Sequence, residues 1–259
     1  MTEERIKKGL AGIVILLILI FTVLLVNKFY LAIGILLVFT AIATCVMLLI
    51  MGMFCGGPML GAGLNIVNKN FQKKYGDRPE GEIVFYGASN FTFWKTLEED
   101  MSPYKTQNHG FGGSTDELMK NQAYRMLYPY KPSVVFIQTG SNDNARGLSL
   151  DEIIENKKKL YAEYLENLPN TLFIVMSGLP LPGRPEFWDN INSLNKFLAD
   201  YCKDLNNLEF VDATSTMLNE EGDFRPEYFI SDGIHLNAEG HKAWTNLMLE
   251  KLNDLNINA

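Results

Sequence analysis

Four nearly uninterrupted apolar runs fix the fold class of residues 80–259. They are Ile83–Tyr86, Ser133–Gln138 ("SVVFIQ"), Leu172–Met176 ("LFIVM") and Leu208–Asp212 ("LEFVD"). Each is too short for a helix and rich in β-branched and aromatic residues. A run with little alternation reads as a strand buried on both faces, as strands of a parallel sheet are. A fifth, shorter strand is expected over Lys105–Asn108. Helical patterns separate the runs: Ser114–Leu127, Ser149–Leu168, Pro185–Leu205 and Ala238–Leu255. Ser114 with Glu117, and Ser149 with Glu152, have capping-box spacing. This alternation implies a three-layer α/β/α sandwich around a mostly parallel five-stranded sheet. In such sheets a site forms outside the carboxyl ends of the strands.

The first 55 residues are of another kind. Residues 9–27 and 31–54 are nearly all apolar and are separated by Lys28 and the aromatic pair Phe29 and Tyr30. Each run is long enough to span a bilayer, which takes roughly 20 helical residues. A cleaved signal peptide fits poorly, because no small-x-small site follows the first run and a second run comes at once. A lipoprotein cysteine fits poorly as well, because Cys45 lies within the second run. The expectation is a transmembrane hairpin over 1–55, in contact with the lipid bilayer through 9–27 and 31–54. A glycine- and charge-rich linker is expected over 56–79 and one domain over 80–259. Arg5, Lys7 and Lys8 precede the hairpin, and Lys69, Lys73, Lys74 and Arg78 follow it. The positive-inside rule then makes this a multi-pass cell-membrane protein with its large domain in the cytoplasm. The formal charge of −7 lacks the basic footprint of nucleic-acid binding. Cys45, Cys55 and Cys202 form neither a disulfide framework nor a metal-ligand spacing.

Four polar stretches fall at strand ends. "YGASN" (86–90) follows the first strand, "NHGFGGST" (108–115) the second and "TGSNDN" (139–144) the third. "SDGIHLNAEGH" (231–241) comes after the last. Together they bring a serine, a glycine-rich loop, an asparagine and an Asp-x-x-His to one sheet edge. A serine hydroxyl needs an adjacent base to act as a nucleophile, and imidazole exchanges protons near neutral pH. Asp232, three residues before His235, can fix the imidazole tautomer. Ser89 is then the nucleophile, with Asp232 and His235 as its partners. The backbone N–H groups of Ser89 and Gly113 and the Asn142 amide are candidate oxyanion donors. Each residue also has a plain structural alternative. Ser89 can be a helix N-cap, the glycines and Asn142 turn formers, Asp232 a cap and His235 a core histidine. His241 reads as structural. His109, Arg184 and Trp188 are candidate substrate contacts, the last two from the proline-rich stretch "SGLPLPGRPEFW" (177–188). Asn90-Phe91-Thr92 matches a glycosylation sequon, but its place beside Ser89 argues against that use.

These four blocks, in this order, resemble the SGNH or GDSL-type serine esterase/lipase family over about residues 80–255. The resemblance implies the flavodoxin-like fold of that family, Ser89, Gly113, Asn142, Asp232 and His235 in its catalytic positions, and no metal or organic cofactor. The sequence departs from the pattern in reading Gly-Ala-Ser-Asn where the family has Gly-Asp-Ser-Leu: Ala88 replaces the Asp and Asn90 the Leu. The implied activity is hydrolysis of small-molecule, lipid or glycan carboxylic esters through an acyl-enzyme on Ser89. Acyl transfer to a sugar hydroxyl at the same site is one alternative, and a membrane-bound binding protein with a disused pocket is another.

Overall fold

The computed structural model describes residues 71–76 and 80–259, together with Val14, Leu16 and Lys69. The chain divides into two units, Met1–Leu60 and Gly61–Ala259, and the second carries all that follows. Apart from Val14 and Leu16, the hairpin expected over 1–55 lies outside the described residues. Among the described residues no helix is long and apolar enough to cross a membrane.

Four strands appear where the apolar runs place them, and the short fifth at its expected position: β1 (Ile83–Gly87), β2 (Thr106–Asn108), β3 (Val134–Gln138), β4 (Leu172–Met176) and β5 (Leu208–Val211). They form one sheet in the order β2-β1-β3-β4-β5, every pair parallel. Strand parity explains the apolar runs, because successive side chains alternate between two cores. Val84, Tyr86, Val135, Ile137, Phe173 and Val175 pack on one face, against Met119, Leu160, Tyr164 and Leu198. Ile83, Phe85, Val134, Phe136, Ile174 and Met176 pack on the other, against Phe91, Trp94, Trp244 and Met248. Neither face meets water, so neither shows a polar alternation.

The helices are α1 (Ser89–Phe93), α2 (Leu97–Asp100), α3 (Asp116–Met126), α4 (Ser141–Ala145), α5 (Leu150–Asn167), α6 (Trp188–Tyr201) and α7 (Ala238–Asp254). The Ser149–Glu152 capping box forms as expected at the start of α5. At α3 the cap falls one residue later than expected: the Thr115 hydroxyl accepts from Leu118 N–H, and Ser114 is buried. The linker expected over 56–79 also ends too late. Residues 71–75 are helical, and Phe71 and Tyr75 are buried against Tyr130 and His109, because two aromatic rings on one turn gain more from a core than from water.

One charged cluster is sealed inside this framework. Lys157 of α5 is 1% exposed, and its ammonium lies 2.8 Å from Asp116 Oδ1. The same ammonium also donates to the Thr139 hydroxyl, which in turn donates to Asp116. The Asp143 carboxylate accepts the Asp116 backbone N–H at 3.3 Å. Burial, and next the Asp116 carboxylate, push Asp143 from its usual 3.8 up to about 7, while Lys157 pulls the other way. The cluster joins the start of α3, the end of β3 and the short helix α4.

Two outcomes follow from this cluster. Lys157→Met leaves two buried carboxyl groups without their cation and should cost about 3–5 kcal/mol, read as a Tm lower by roughly 10 °C in a domain of this size. A Tm within about 2 °C of the parent would mean that the cluster holds nothing together. Asp143 keeps its proton in the folded state at pH values where the unfolded chain loses it. Its contribution is therefore full below about pH 4 and is lost as pH rises towards about 7. The Tm difference between Asp143→Asn and the parent should thus move in the variant's favour as pH is raised from 4 to 7. A difference independent of pH would refute this.

Candidate active site

Gly87 ends β1, Ala88 occupies the N-cap position, and Ser89 is the first residue of α1. Ala88 has no capping side chain, and Ser89 is not the cap. The Ser89 hydroxyl instead lies 2.8 Å from His235 Nε2, a contact made across 146 residues of chain. His235 Nδ1 lies 2.6 Å from Asp232 Oδ2. Asp232 Oδ1 accepts the backbone N–H groups of Ile234 at 2.8 Å and His235 at 3.0 Å, which closes the turn that presents both side chains. Burial works against the Asp232 charge, but the bonds from His235 and from these N–H groups outweigh it and hold the carboxyl below its usual 3.8. An ionised Asp232 requires the proton on Nδ1, which leaves Nε2 as the base facing Ser89. The exposed ring of Phe93 meets the imidazole edge-on at 4.6 Å.

The proposed oxyanion donors come from three segments. A Cβ placed on Gly112 would lie 3.7 Å from Ser89 Cβ, so the glycine loop runs beside the serine. Gly113 follows with φ +75°, a left-handed conformation that favours glycine. Asn142 lines the same cleft as Ser89, and its Nδ2 donates to Ser114 O at 2.9 Å. An amide nitrogen has two hydrogens, so this bond fixes the side chain and leaves the second hydrogen for another acceptor. The Ser89 N–H, at the first turn of a helix, has no partner within that helix.

Asn90, one of the two departures from the family pattern, is buried. Its Oδ1 accepts Leu236 N–H at 3.0 Å, which ties the helix of Ser89 to the residue after His235. The Asn90 carbonyl faces His241 Nε2 at 3.2 Å. His241 stacks on Trp94 at 4.9 Å, and burial pulls its pKa down to about 4, so it is a neutral structural histidine. Nothing in the local sequence marks the Asn90 contact, which is made across 146 residues.

Two expected substrate contacts are displaced. His109 is fully buried among Phe71, Tyr75 and Tyr130, with its ring nitrogens at 2.6 Å from Met126 O and 2.9 Å from Gln107 Oε1. It continues the direction of β2 into the core and cannot meet a substrate. Trp188 opens α6 and packs on Phe224 at 5.7 Å, outside the cleft. Arg184 does line the cleft, with Leu179 and Leu181 from the same proline-rich segment. That segment is locked to the catalytic turn. Gly183 N–H donates to Gly233 O at 2.9 Å, and a Cβ on Gly233 would lie 2.6 Å from Gly183 N. Gly233 also sits at φ +65°. The cleft is narrow and partly open to solvent.

The fold recurs in solved structures. A Streptococcus pneumonia protein provisionally named as a platelet activating factor matches with a TM-score of 0.62 at 21% identity, over 74% of this chain and 91% of that one. A GDSL-like lipase of Bacteroides thetaiotaomicron matches with a TM-score of 0.60 at 23% identity, over 73% and 98%. A carbohydrate esterase family 3 member from Talaromyces cellulolyticus matches with a TM-score of 0.54 at 16% identity, over 68% and 98%. At these identities the likeness is one of fold. Comparison with curated proteins finds no match. The GDSL-like lipase/acylhydrolase profile matches residues 75–243, the stretch that carries Ser89, Gly113, Asn142, Asp232 and His235. The chain therefore belongs to the GDSL-like lipase/acylhydrolase family, and it is a carboxylic ester hydrolase.

Proposed function

We propose that this hydrolase is membrane-anchored and cleaves esters of short acyl groups through an acyl-enzyme on Ser89. The observation that carries the reading is the continuous line Asp232–His235–Ser89, with contacts of 2.6 and 2.8 Å. As Ser89 Oγ bonds to the ester carbonyl carbon, its proton passes to His235 Nε2. The oxyanion that forms takes hydrogen bonds from the Ser89 and Gly113 N–H groups and the Asn142 amide. Collapse of this intermediate breaks the C–O bond to the alcohol, which leaves with the proton from His235. Water, deprotonated by the same imidazole, then attacks the acyl carbon; the bond from that carbon to Ser89 Oγ breaks, Ser89 takes the proton back from His235, and the acid leaves. Asp232 stays ionised and steadies the imidazolium in both halves.

Cleft size supports the acyl preference. The cleft is narrow and lined by Leu179, Leu181 and Ile234, and a short acyl group suits it. Anchoring rests on the apolar runs 9–27 and 31–54, and the basic residues flanking them favour a cytoplasmic domain.

With p-nitrophenyl acetate and the full-length chain, Ser89→Ala and His235→Ala should each lower kcat by on the order of 10³-fold or more. A fluorophosphonate should label the parent and not Ser89→Ala. Across acetyl, butyryl and octanoyl esters, kcat/KM should fall by about an order of magnitude or more, each excluded group forfeiting binding energy. Undiminished turnover by Ser89→Ala would sink the mechanism, and a preference for octanoyl would sink the acyl assignment. Alkaline carbonate washing should leave the chain in the membrane pellet, and its release to the supernatant would refute anchoring.

A further inference from the structure

We infer that the substrate carries an anionic group, a carboxylate or a phosphate, close to the scissile ester, and that Arg184 binds it. The inference deepens the reading of Ser89 as the nucleophile and rests on it.

Arg184 is the one permanently charged side chain lining the cleft that holds Ser89 and His235. Among the described residues it forms no ion pair. Its guanidinium makes a single long contact, 3.5 Å from Nη1 to Ser141 Oγ. A guanidinium presents five donors in a planar fork suited to the paired oxygens of carboxylate or phosphate. Most of that capacity is unused here. No carboxylate lines the cleft to neutralise it. Ala88, which also lines the cleft, stands where the family pattern has an Asp, so that position brings a methyl group and no carboxylate to the cleft. Asp232 turns its oxygens to His235 and to two backbone N–H groups. In a chain of net charge −7, an unneutralised cation beside the nucleophile stands out.

Its backbone is held in place. Arg184 N–H donates to Leu181 O at 2.9 Å, Phe187 N–H donates to Arg184 O at 3.2 Å, and Gly183 is bonded to Gly233 on the catalytic turn. Pro182 and Pro185 on either side restrict the chain further. The charge thus has a fixed origin relative to His235. We place the anion on the alcohol portion, which leaves the acyl group short, as proposed above.

The test uses isosteric acetyl esters and the full-length chain: 3-acetoxybenzoate and 3-acetoxyphenyl phosphate as anions, with 3-acetoxybenzamide as the neutral counterpart. The parent should favour at least one anion in kcat/KM by about tenfold or more, as expected for a charge-assisted bond, chiefly through KM. The preferred anion tells carboxylate from phosphate. In Arg184→Gln the anion-to-neutral ratio should fall to near one, and Arg184→Lys should recover part of it. The parent's preference should shrink as salt is raised. Calorimetric binding of the non-hydrolysable 3-acetamidobenzoate and 3-acetamidophenyl phosphate reads the same contact without turnover, so a failure of the Ser89 mechanism does not obscure it. A parent without anion preference in both turnover and binding would overturn the proposal. An equal loss on neutral and anionic esters in Arg184→Gln would also overturn it, and would assign Arg184 to bracing Ser141.

Discussion

The ammonium of Lys157 has no water to turn to, and much of the site's geometry follows from that. A buried cation is tolerated only when its hydrogen bonds are filled. Here the partners are Asp116 and Thr139, which lie at the start of α3 and just after β3. Gly113 stands three residues before Asp116, and Asn142 three after Thr139. Holding the two anchors therefore limits the movement of both segments that carry the proposed oxyanion donors. Asp143 extends the constraint by accepting the Asp116 N–H, and the Asn142 amide bonded to Ser114 O closes it. For the proposed donors this amounts to preorganisation of the kind catalysis requires: groups fixed before charge develops, with no reorganisation needed afterwards.

The sheet was legible in the sequence because burial on both faces erases polar alternation and leaves runs such as "SVVFIQ" and "LFIVM". Ser89 was legible for a related reason: a parallel sheet sends every strand's carboxyl end to one edge, and Ser89 lies just beyond β1. Asp232 and His235 lie well past the end of β5 and were legible through their Asp-x-x-His spacing. What escaped depended on contacts between distant segments. His109 sits in a stretch that reads as a loop, yet β2 carries it into an aromatic pocket partly built by Phe71 and Tyr75. Those two rings were hidden in turn by the glycines and charges around them, which suggested a linker. Trp188 begins a helix, and its direction is set by packing on Phe224. The shift of the α3 cap from Ser114 to Thr115 is a competition between two hydroxyls that spacing alone does not decide.

The proline-rich segment shows how a wall is built from residues with no chemistry of their own. Gly183 and Gly233 let two backbones touch at a distance no side chain would permit. The wall and the base then move as one piece. Cleft volume is a property of that joint, so enlarging the acyl space calls for moving the joint as well as trimming Leu179 or Leu181.

The contacts joining α1 to the segment around His235 also govern when the protein becomes an enzyme during its synthesis. Ser89 meets its base, and Asn90 meets Leu236, only across 146 residues. A ribosome that has made the whole sheet through β5 still holds a chain with its proposed nucleophile and without its proposed base. With the proposed roles, the hydrolase stays inert until the segment around His235 emerges and folds back. Any product ending before His235 is a chemically silent protein, whatever structure it has already acquired.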